Sequence, residues 1–267
     1  MNSFGRFPAL VFFVVAVAAG SSHAQQSNRN QVGLSIGGSD YHILDHHASP
    51  LIYSSFGFAA NVAYAHDSEE SSHSFDGSFD FNDLTTTSDN FHTRNWRVSA
   101  RYSHVRSIST FSLFRHDFIL SLGGSLASFF SKADYYYRLG SLDARTITSW
   151  YWSHSVDLAA LIRYNIAPRE FFRGRVSFPI ISNVARPPFS SSGNYNYFEN
   201  DWKINAFGDT RFFPQNMFIN VSMAYQRPLF GDFNLQISYE FVTSSYDRPA
   251  EMKMYANSFC AGLFFSF

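Results

Sequence analysis

The stretch Tyr255-Ala-Asn-Ser-Phe-Cys-Ala-Gly-Leu-Phe-Phe-Ser-Phe267 alternates between large and small side chains up to its last residue. Side chains of a β-strand point alternately to its two faces. One face carries apolar residues, namely Tyr255, Phe259, Ala261, Leu263, Phe265 and Phe267. The other face carries small or polar residues, namely Ser258, Cys260, Gly262 and Ser266, with Phe264 as its one bulky exception. The pattern predicts a strand with one face against lipid and the other towards a barrel interior.

A closing strand that ends in Phe resembles that of the outer-membrane β-barrel proteins of Gram-negative bacteria. In that family the strand is read by the barrel-assembly machinery, which the resemblance implies as a partner during biogenesis. The resemblance also implies which side chains form the assembly signal: Tyr255, Phe259, Leu263, Phe265 and Phe267. It further implies an all-β fold, a transmembrane antiparallel up-and-down β-barrel, and it names no activity.

The amino terminus has the features of a secretory signal peptide. Arg6 supplies the positive end, the run from Ala9 to Ala19 is apolar, and Ser22-His-Ala24 offers small residues for cleavage. The apolar run is shorter than the ~20 residues that a spanning helix needs. We therefore expect residues 1–24 to be a signal peptide and cleavage to follow Ala24.

Composition fits strands that alternate between lipid and lumen. Aromatic residues make up 19% of the chain and charged residues 15%, whereas about 25% of residues are charged in typical soluble domains. Cys260 is the only cysteine, which excludes a disulfide framework, and no cofactor is expected. The net charge of −1 and the dispersed basic residues give no reason to expect nucleic acid as a partner.

Alternating segments predict about eight spanning strands within residues 51–267. They are expected at Tyr53–His66, Phe91–Arg106, Arg115–Ser131, Thr146–Ile166, Phe172–Asn183, Met217–Arg227, the segment around Leu235–Phe241, and Tyr255–Phe267. The intervening stretch Asp67–Asn90 is rich in Ser, Asp and Thr, and we interpret it as an external loop. The stretch Ala185–Gln215 is a second long polar connection.

Ten strands are the alternative, obtained by adding Val32–Tyr41 and Trp202–Phe212. Eight strands are preferred because an additional first strand would place the long Asp67–Asn90 loop on the periplasmic side of the membrane. With eight strands, residues 25–50 form an amino-terminal periplasmic or plug segment, or a partial strand. The connections after His66, Ser131, Asn183 and Val242 then lie outside, and the short ones near Ser107, Ala167 and Leu229 lie inside. Long outer loops and short periplasmic turns are typical of these barrels, so both termini are expected in the periplasm.

Charged residues on the polar faces of the strands are expected inside the barrel. The set comprises Arg97, Arg101, Asp117, Asp157, Arg163, Arg173, Arg175 and Glu240. Because charges in such a place must be paired and hydrogen-bonded, we expect a salt-bridge network that rigidifies the barrel. Large aromatic residues near strand ends, namely Trp96, Trp150, Trp152 and Tyr164, are expected to form the aromatic girdle at the membrane interfaces.

No catalytic or metal site is predicted. Fragments of a Ser/His/Asp arrangement occur at His154-Ser155 with Asp157, at Ser103-His104 and at His116-Asp117. Adjacent residues of a strand point to opposite faces, so His154 and Ser155 cannot pair. His42, Asp45, His46 and His47 are the densest set of residues that could bind a metal. We interpret them as part of a polar surface or plug segment.

The function expected from the sequence is that of a non-enzymatic integral barrel of the outer membrane. It would be a structural or binding component, with outer-membrane lipids and other outer-membrane subunits as partners, in the manner of an accessory subunit of an envelope assembly or secretion complex. The alternatives are a narrow channel or transporter for small solutes and a lipid-modifying enzyme.

Overall fold

The computed structural model describes residues 29–267 except 47, 69, 87–90, 114–115, 138–144, 168, 187–190, 193–206 and 249. The signal peptide expected at residues 1–24 and the histidine at position 47 lie outside the described residues. Within the described residues no helix is long and apolar enough to cross a membrane.

The described chain forms one antiparallel sheet whose ten long strands close into a barrel. They are β1 (Arg29–Asp45), β2 (Ser49–Asp67), β3 (Ser71–Thr85), β4 (Phe91–Leu113), β5 (His116–Tyr137), β6 (Arg145–Ala167), β7 (Glu170–Ala185), β10 (Asn216–Phe230), β11 (Phe233–Tyr246) and β12 (Met252–Ser266). Two short strands, β8 (Ser191–Ser192) and β9 (Asp209–Phe212), extend the sheet beside β6 and β7.

Closure is made by the first and last strands. β1 pairs with β12 over its whole length, and the backbone of Phe267 exchanges two hydrogen bonds with that of Asn30, at 3.0 and 3.2 Å. Each long strand also pairs with the next long strand along the chain. β7 pairs with β10 through Phe171–Ser177, and with β9 through Ile181–Val184. A closed up-and-down barrel leaves no unpaired strand edge within the wall.

Side chains alternate between the two sides of the wall as the sequence predicts. Apolar residues of β1, β2 and β12 are exposed on the outside, among them Leu34 (68%), Phe56 (75%) and Phe259 (59%). The alternate positions, such as Ser39, Ser258 and Cys260, are buried inside. The barrel is thus apolar outside and largely polar inside, the reverse of a soluble protein.

The all-β antiparallel barrel is confirmed, but the preferred count of eight strands is wrong and the alternative of ten is confirmed. β1 is a full strand, so residues 29–45 are neither a plug nor a partial strand. The other additional strand is β3, inside the stretch Asp67–Asn90 that was expected to be a loop. The alternative had placed it at Trp202–Phe212, of which 207–212 is described and contains only the short strand β9.

Connections at the two ends of the barrel differ in length. The end that carries Arg29 and Phe267, called the terminal end, has turns at residues 68–70, 114–115, 168–169 and 231–232. The opposite end, called the loop end, has connections at 46–48, 86–90, 138–144, 186–215 and 247–251. The connection after His66 was expected among the long ones and is instead a short turn at the terminal end, because β3 follows directly.

Candidate functional site: the barrel interior

The interior near the terminal end is crossed by an ion pair. Arg163 on β6 donates to Asp67 on β2 at 2.8 Å, and its Nε donates to Asn165 at 2.9 Å. β2 and β6 are four strands apart around the wall, so the pair spans the lumen. The guanidinium also lies 4.3 Å from the ring centre of Phe171, which covers the apolar face of the cation.

The middle of the lumen holds two further pairs. Arg175 on β7 donates to Asp76 on β3 at 2.7 Å, again four strands away. Arg97 donates to Asp80 on the adjacent strand at 2.9 Å and to Ser39 of β1 at 3.1 Å. Each of these cations therefore has an acid within hydrogen-bond distance, as buried charges require.

A third arginine in the middle of the lumen, Arg101, is hydrogen-bonded to the side-chain amide of an asparagine. Arg101 donates to Asn220 at 2.9 Å, and Asn220 donates in turn to Glu240 at 2.5 Å. Arg101 and Glu240 are 3.9 Å apart. Asp157 accepts a hydrogen bond from Ser125 at 3.4 Å.

Above the charges, towards the loop end, the lumen is filled by an aromatic layer. Its buried members are Tyr41, Ile43, Tyr53, Leu84, Phe129, Ala133, Tyr135, Tyr151, Val184, Phe218, Val242, Tyr246, Met252, Met254 and Ala256. Rings from strands three apart touch: the ring centres of Tyr53 and Tyr135 are 5.1 Å apart, and those of Phe129 and Phe218 are also 5.1 Å apart. Arg97 lies 4.4 Å from the ring centre of Tyr41 and so joins the charged and aromatic layers.

At the loop end a buried ion pair ties four segments together. Arg186, the first residue after β7, donates to Asp45 at the end of β1 at 2.7 Å and to the carbonyl of Ala250 at 2.9 Å. Asp45 also accepts from Ser149 of β6 at 2.6 Å, and both charged side chains are 2% exposed. The start of the long connection 186–215 is thereby fastened across the barrel mouth. On the surface beside it, a hydrogen bond from Lys253 lowers the pKa of Glu251.

Most charges that the sequence assigned to the lumen face it. The inward ones are Arg97, Arg101, Asp157, Arg163, Arg173, Arg175 and Glu240. Arg173 is paired in register with Arg163, and it adds positive potential beside Asp67. Asp117 is different, because it lies exposed at the terminal rim and accepts a hydrogen bond from Ser112 at 2.5 Å.

The acids that pair with arginines in the lumen were not predicted from the sequence. They are Asp45, Asp67, Asp76 and Asp80, and Arg186 was missed as well. Asp45 lies on β1, where a plug or partial strand was expected. The other three acids lie at the end of β2 or on β3, within the stretch that was expected to be a loop. A signal was present in β3, since Phe75, Phe79 and Phe81 alternate with polar residues.

The aromatic residues assigned to the girdle lie outside the wall. Trp96, Trp150 and Trp152 cluster around Phe130 on β4 to β6, with the ring centres of Trp96 and Phe130 5.0 Å apart. Tyr164 lies towards the terminal end, where its hydroxyl is 2.8 Å from Nδ1 of His116. Of the residues expected to form the assembly signal, Phe259, Leu263, Phe265 and Phe267 are exposed on the outside, and Tyr255 stacks on His42.

The structure does not bring the Ser/His/Asp fragments together. His154 lies outside against Trp152 and Phe207, whereas Ser155 alternates to the inside. His104 lies outside and Ser103 inside. His116 binds Tyr164 on the outer wall, away from Asp117 at the rim.

The expected histidine cluster is also spread out. His42 lies outside and binds Asp40 at 3.1 Å, whereas Asp45 is buried in the lumen and His46 lies 3.5 Å from Glu251 at the loop end. Among the described residues no group of three or more His, Cys, Asp or Glu side chains is arranged to hold a metal ion.

Comparison with known proteins identifies the fold. No protein-family model matches the chain, and no curated protein matches it in sequence. The outer membrane protease OmpT from Escherichia coli is 11% identical, with a TM-score of 0.50, over 92% of this chain and 100% of that one. The translocator domain of the autotransporter NalP from Neisseria meningitidis is 8% identical, with a TM-score of 0.49, over 92% of this chain and 90% of that one. Ail, the attachment invasion locus protein of Yersinia pestis, is 13% identical, with a TM-score of 0.39, over 90% of this chain and 100% of that one.

The class of protein is therefore defined by architecture. This chain has the fold of the outer-membrane β-barrels. Identities this low show the fold and not an activity.

Proposed function

We propose that this protein is an integral outer-membrane barrel with a closed lumen, and that it acts as a structural or binding component of the envelope through its outer wall and its loop end. In this proposal neither a pore nor a catalytic centre occupies the lumen. The observation that carries it is the filled interior. Four charged groups, centred on Arg163, Arg175, Arg97 and Arg101, are followed along the axis by the aromatic layer and the Arg186–Asp45 pair.

The aromatic layer argues against a solute path. Rings that belong to strands three apart are within 5.1 Å of each other, and the hydroxyl of Tyr151 is hydrogen-bonded to Asn216 at 2.9 Å. A solute path needs a continuous opening, whereas here buried side chains from different sides of the wall meet across the lumen. Interiors of this kind are close-packed and rigid.

Single-channel recording tests the closed lumen. Purified wild-type protein in a planar bilayer should give no conductance steps, whereas the variant Tyr41→Ala/Phe129→Ala/Tyr151→Ala should conduct, because the substitutions empty the aromatic layer. The variant shows that the assay can detect an opened barrel. Reproducible steps from wild-type protein would contradict the proposal.

The proposed orientation places the terminal end in the periplasm and the loop end outside the cell. Short turns at the end that holds both termini support it. On a Cys260→Ser background, His46→Cys at the loop end should react with a membrane-impermeant maleimide on intact cells. Asp232→Cys at the terminal end should react only after lysis, and the reverse pattern would overturn the orientation.

The role as a subunit of a larger envelope assembly is tested by extraction. Under mild detergent the protein should migrate above the size of its monomer on native gels, together with other outer-membrane proteins. Recovery as a monomer alone would count against that role and would leave a solitary barrel.

A second candidate, a lipid hydrolase, is favoured by one observation on the outer wall. Asp40 and His42 are 3.1 Å apart, and strand register places Ser54 directly beside His42 on the same face. Serine, imidazole and carboxylate are the parts of a nucleophilic site, although the Ser54 hydroxyl must turn towards His42 to complete one. Release of fatty acid from envelope phospholipids that is lost in Ser54→Ala and retained in Ser55→Ala would support it. Absence of release from wild-type protein would exclude it.

A further inference from the structure

We propose that His73 and His104, on the outer wall near the terminal end, form a binding site for a divalent transition-metal ion, with His66 beside them as a third imidazole. The site goes beyond the proposed function and does not depend on it. Its ligands are imidazoles without a carboxylate among them, a set that suits Zn²⁺, Ni²⁺ or Cu²⁺ rather than Ca²⁺ or Mg²⁺.

Strand register brings the three histidines into one row. His66 of β2 is paired directly with His73 of β3, and His73 is paired directly with His104 of β4. All three side chains are on the outside, because their neighbours in sequence, such as Ser74 and Ser103, are buried in the lumen. Directly opposed residues have Cβ atoms only about 5 Å apart, so their rings can share a small ligand.

The ring separations fit one bound ion. A metal lies about 2.0–2.1 Å from the nitrogen of a histidine, which puts it roughly 3.2 Å from the ring centre. Two rings on one tetrahedral ion therefore have centres about 5 Å apart, and about 6.4 Å is reached only when both nitrogens and the ion lie on one line. The centres of His73 and His104 are 4.3 Å apart, and those of His66 and His73 are 6.2 Å apart. The first pair forms the chelate. His66 adds a third nitrogen only when its side chain turns and leaves its hydrogen bond to Asn30.

Hydrogen bonds already orient two of the rings. Nδ1 of His66 lies 2.9 Å from Oδ1 of Asn30, an oxygen that can only accept, so the ring donates from Nδ1 and Nε2 carries the lone pair. The same oxygen accepts from the hydroxyl of Tyr64 at 3.0 Å. Nδ1 of His73 lies 2.9 Å from the hydroxyl of Tyr102, which can accept in the same way.

This pattern is typical of metal-binding histidines, whose second nitrogen donates to an oxygen that holds the ring in place. Among the described residues no group is hydrogen-bonded to Nε2 of His66 or His73. His42 differs, because its Nε2 is engaged by Asp40 at 3.1 Å. His66 and His73 therefore keep Nε2 available to a ligand on the outer wall.

Calorimetric titration with ZnCl₂ tests the site, using protein without an affinity tag in detergent. Wild-type protein should bind one Zn²⁺ per chain, and His73→Ala and His104→Ala should each weaken binding at least ~10-fold. His154→Ala is the matched control, since this outward histidine packs against Trp152 and Phe207, and its affinity should equal that of wild-type. No binding by wild-type protein, or equal binding by His73→Ala, would overturn the proposal.

Spectroscopy separates ligation from a structural effect. With Cu²⁺ as the probe, electron paramagnetic resonance should resolve coupling to two or three nitrogens in wild-type protein and to fewer in His73→Ala. Tyr102→Phe keeps the ligands and removes the oxygen that orients His73, so it should weaken Zn²⁺ binding about 10-fold. Unchanged nitrogen coupling in His73→Ala would refute ligation by His73, and unchanged affinity in Tyr102→Phe would refute the orienting hydrogen bond.

Discussion

The ring of Phe264 lies over Gly33 inside the barrel, so close that a Cβ at position 33 would be 2.4 Å from two of the ring carbons. Within the stretch 255–267 Phe264 is the one bulky residue on the inward face, and Gly33 is its register partner on β1. The exception in the sequence pattern is therefore accommodated by a glycine on the strand that closes the barrel.

Gly33→Ala should destabilise the barrel by about 1–3 kcal/mol, because the new methyl group overlaps an aromatic ring in a packed interior. Equilibrium urea unfolding in detergent measures the change. In the double variant Gly33→Ala/Phe264→Leu most of the loss should disappear. Gly174→Ala is the control, since nothing lies within 4 Å of a Cβ there, and it should change stability by less than about 0.5 kcal/mol. Equal effects at positions 33 and 174 would contradict the contact.

Arg97→Ala should cost about 3–5 kcal/mol of unfolding free energy, because it leaves the Asp80 carboxylate buried without its cation. Adding Asp80→Ala should recover part of that loss. Arg106→Ala is the matched control, since its pair with Glu70 is 71% and 79% exposed, and it should cost less than about 1 kcal/mol. A small effect of Arg97→Ala would show that the pair is reached by water.

Cys260 should resist a water-soluble maleimide in the folded barrel and react fully in denaturant, because its side chain is 1% exposed on the inner face of β12. The rate of labelling by mass spectrometry measures this. On a Cys260→Ser background, Ser109→Cys at an exposed position of β4 should react quickly in the folded state. Rapid labelling of Cys260 in folded protein would show that the face of β12 that carries Cys260 points outward.

Trp152 should be quenched strongly by lipids with brominated acyl chains, because its ring lies on the outer wall beside Phe130. The measurement uses a protein in which Trp96, Trp150 and Trp202 are replaced by Phe. A second protein with Trp152→Phe and Tyr151→Trp moves the fluorophore to the adjacent position, which faces the lumen, and quenching should fall several-fold. Similar quenching of both proteins would contradict the alternation of β6 across the wall.

Alternation predicted most of the wall but missed β3. The segment from Ser71 to Thr85 was interpreted as a loop because Asp and Ser dominate its composition. Its acids are tolerated inside the barrel since Asp76 and Asp80 meet Arg175 and Arg97. Arg175 comes from a strand four places away, and spacing along the sequence gives no information about such a partner.

The sequence by itself determined that the chain forms strands with an apolar outer face and a polar inner face, because side chains repeat every two residues and lipid accepts only one kind of surface. Only the tertiary structure decided the number of strands and what fills the lumen. Closure of the sheet sets which inward side chains meet across the interior, and pairs such as Arg163 with Asp67 form between residues 96 positions apart. Distances across a closed wall depend on all ten strands together, and no local pattern encodes them.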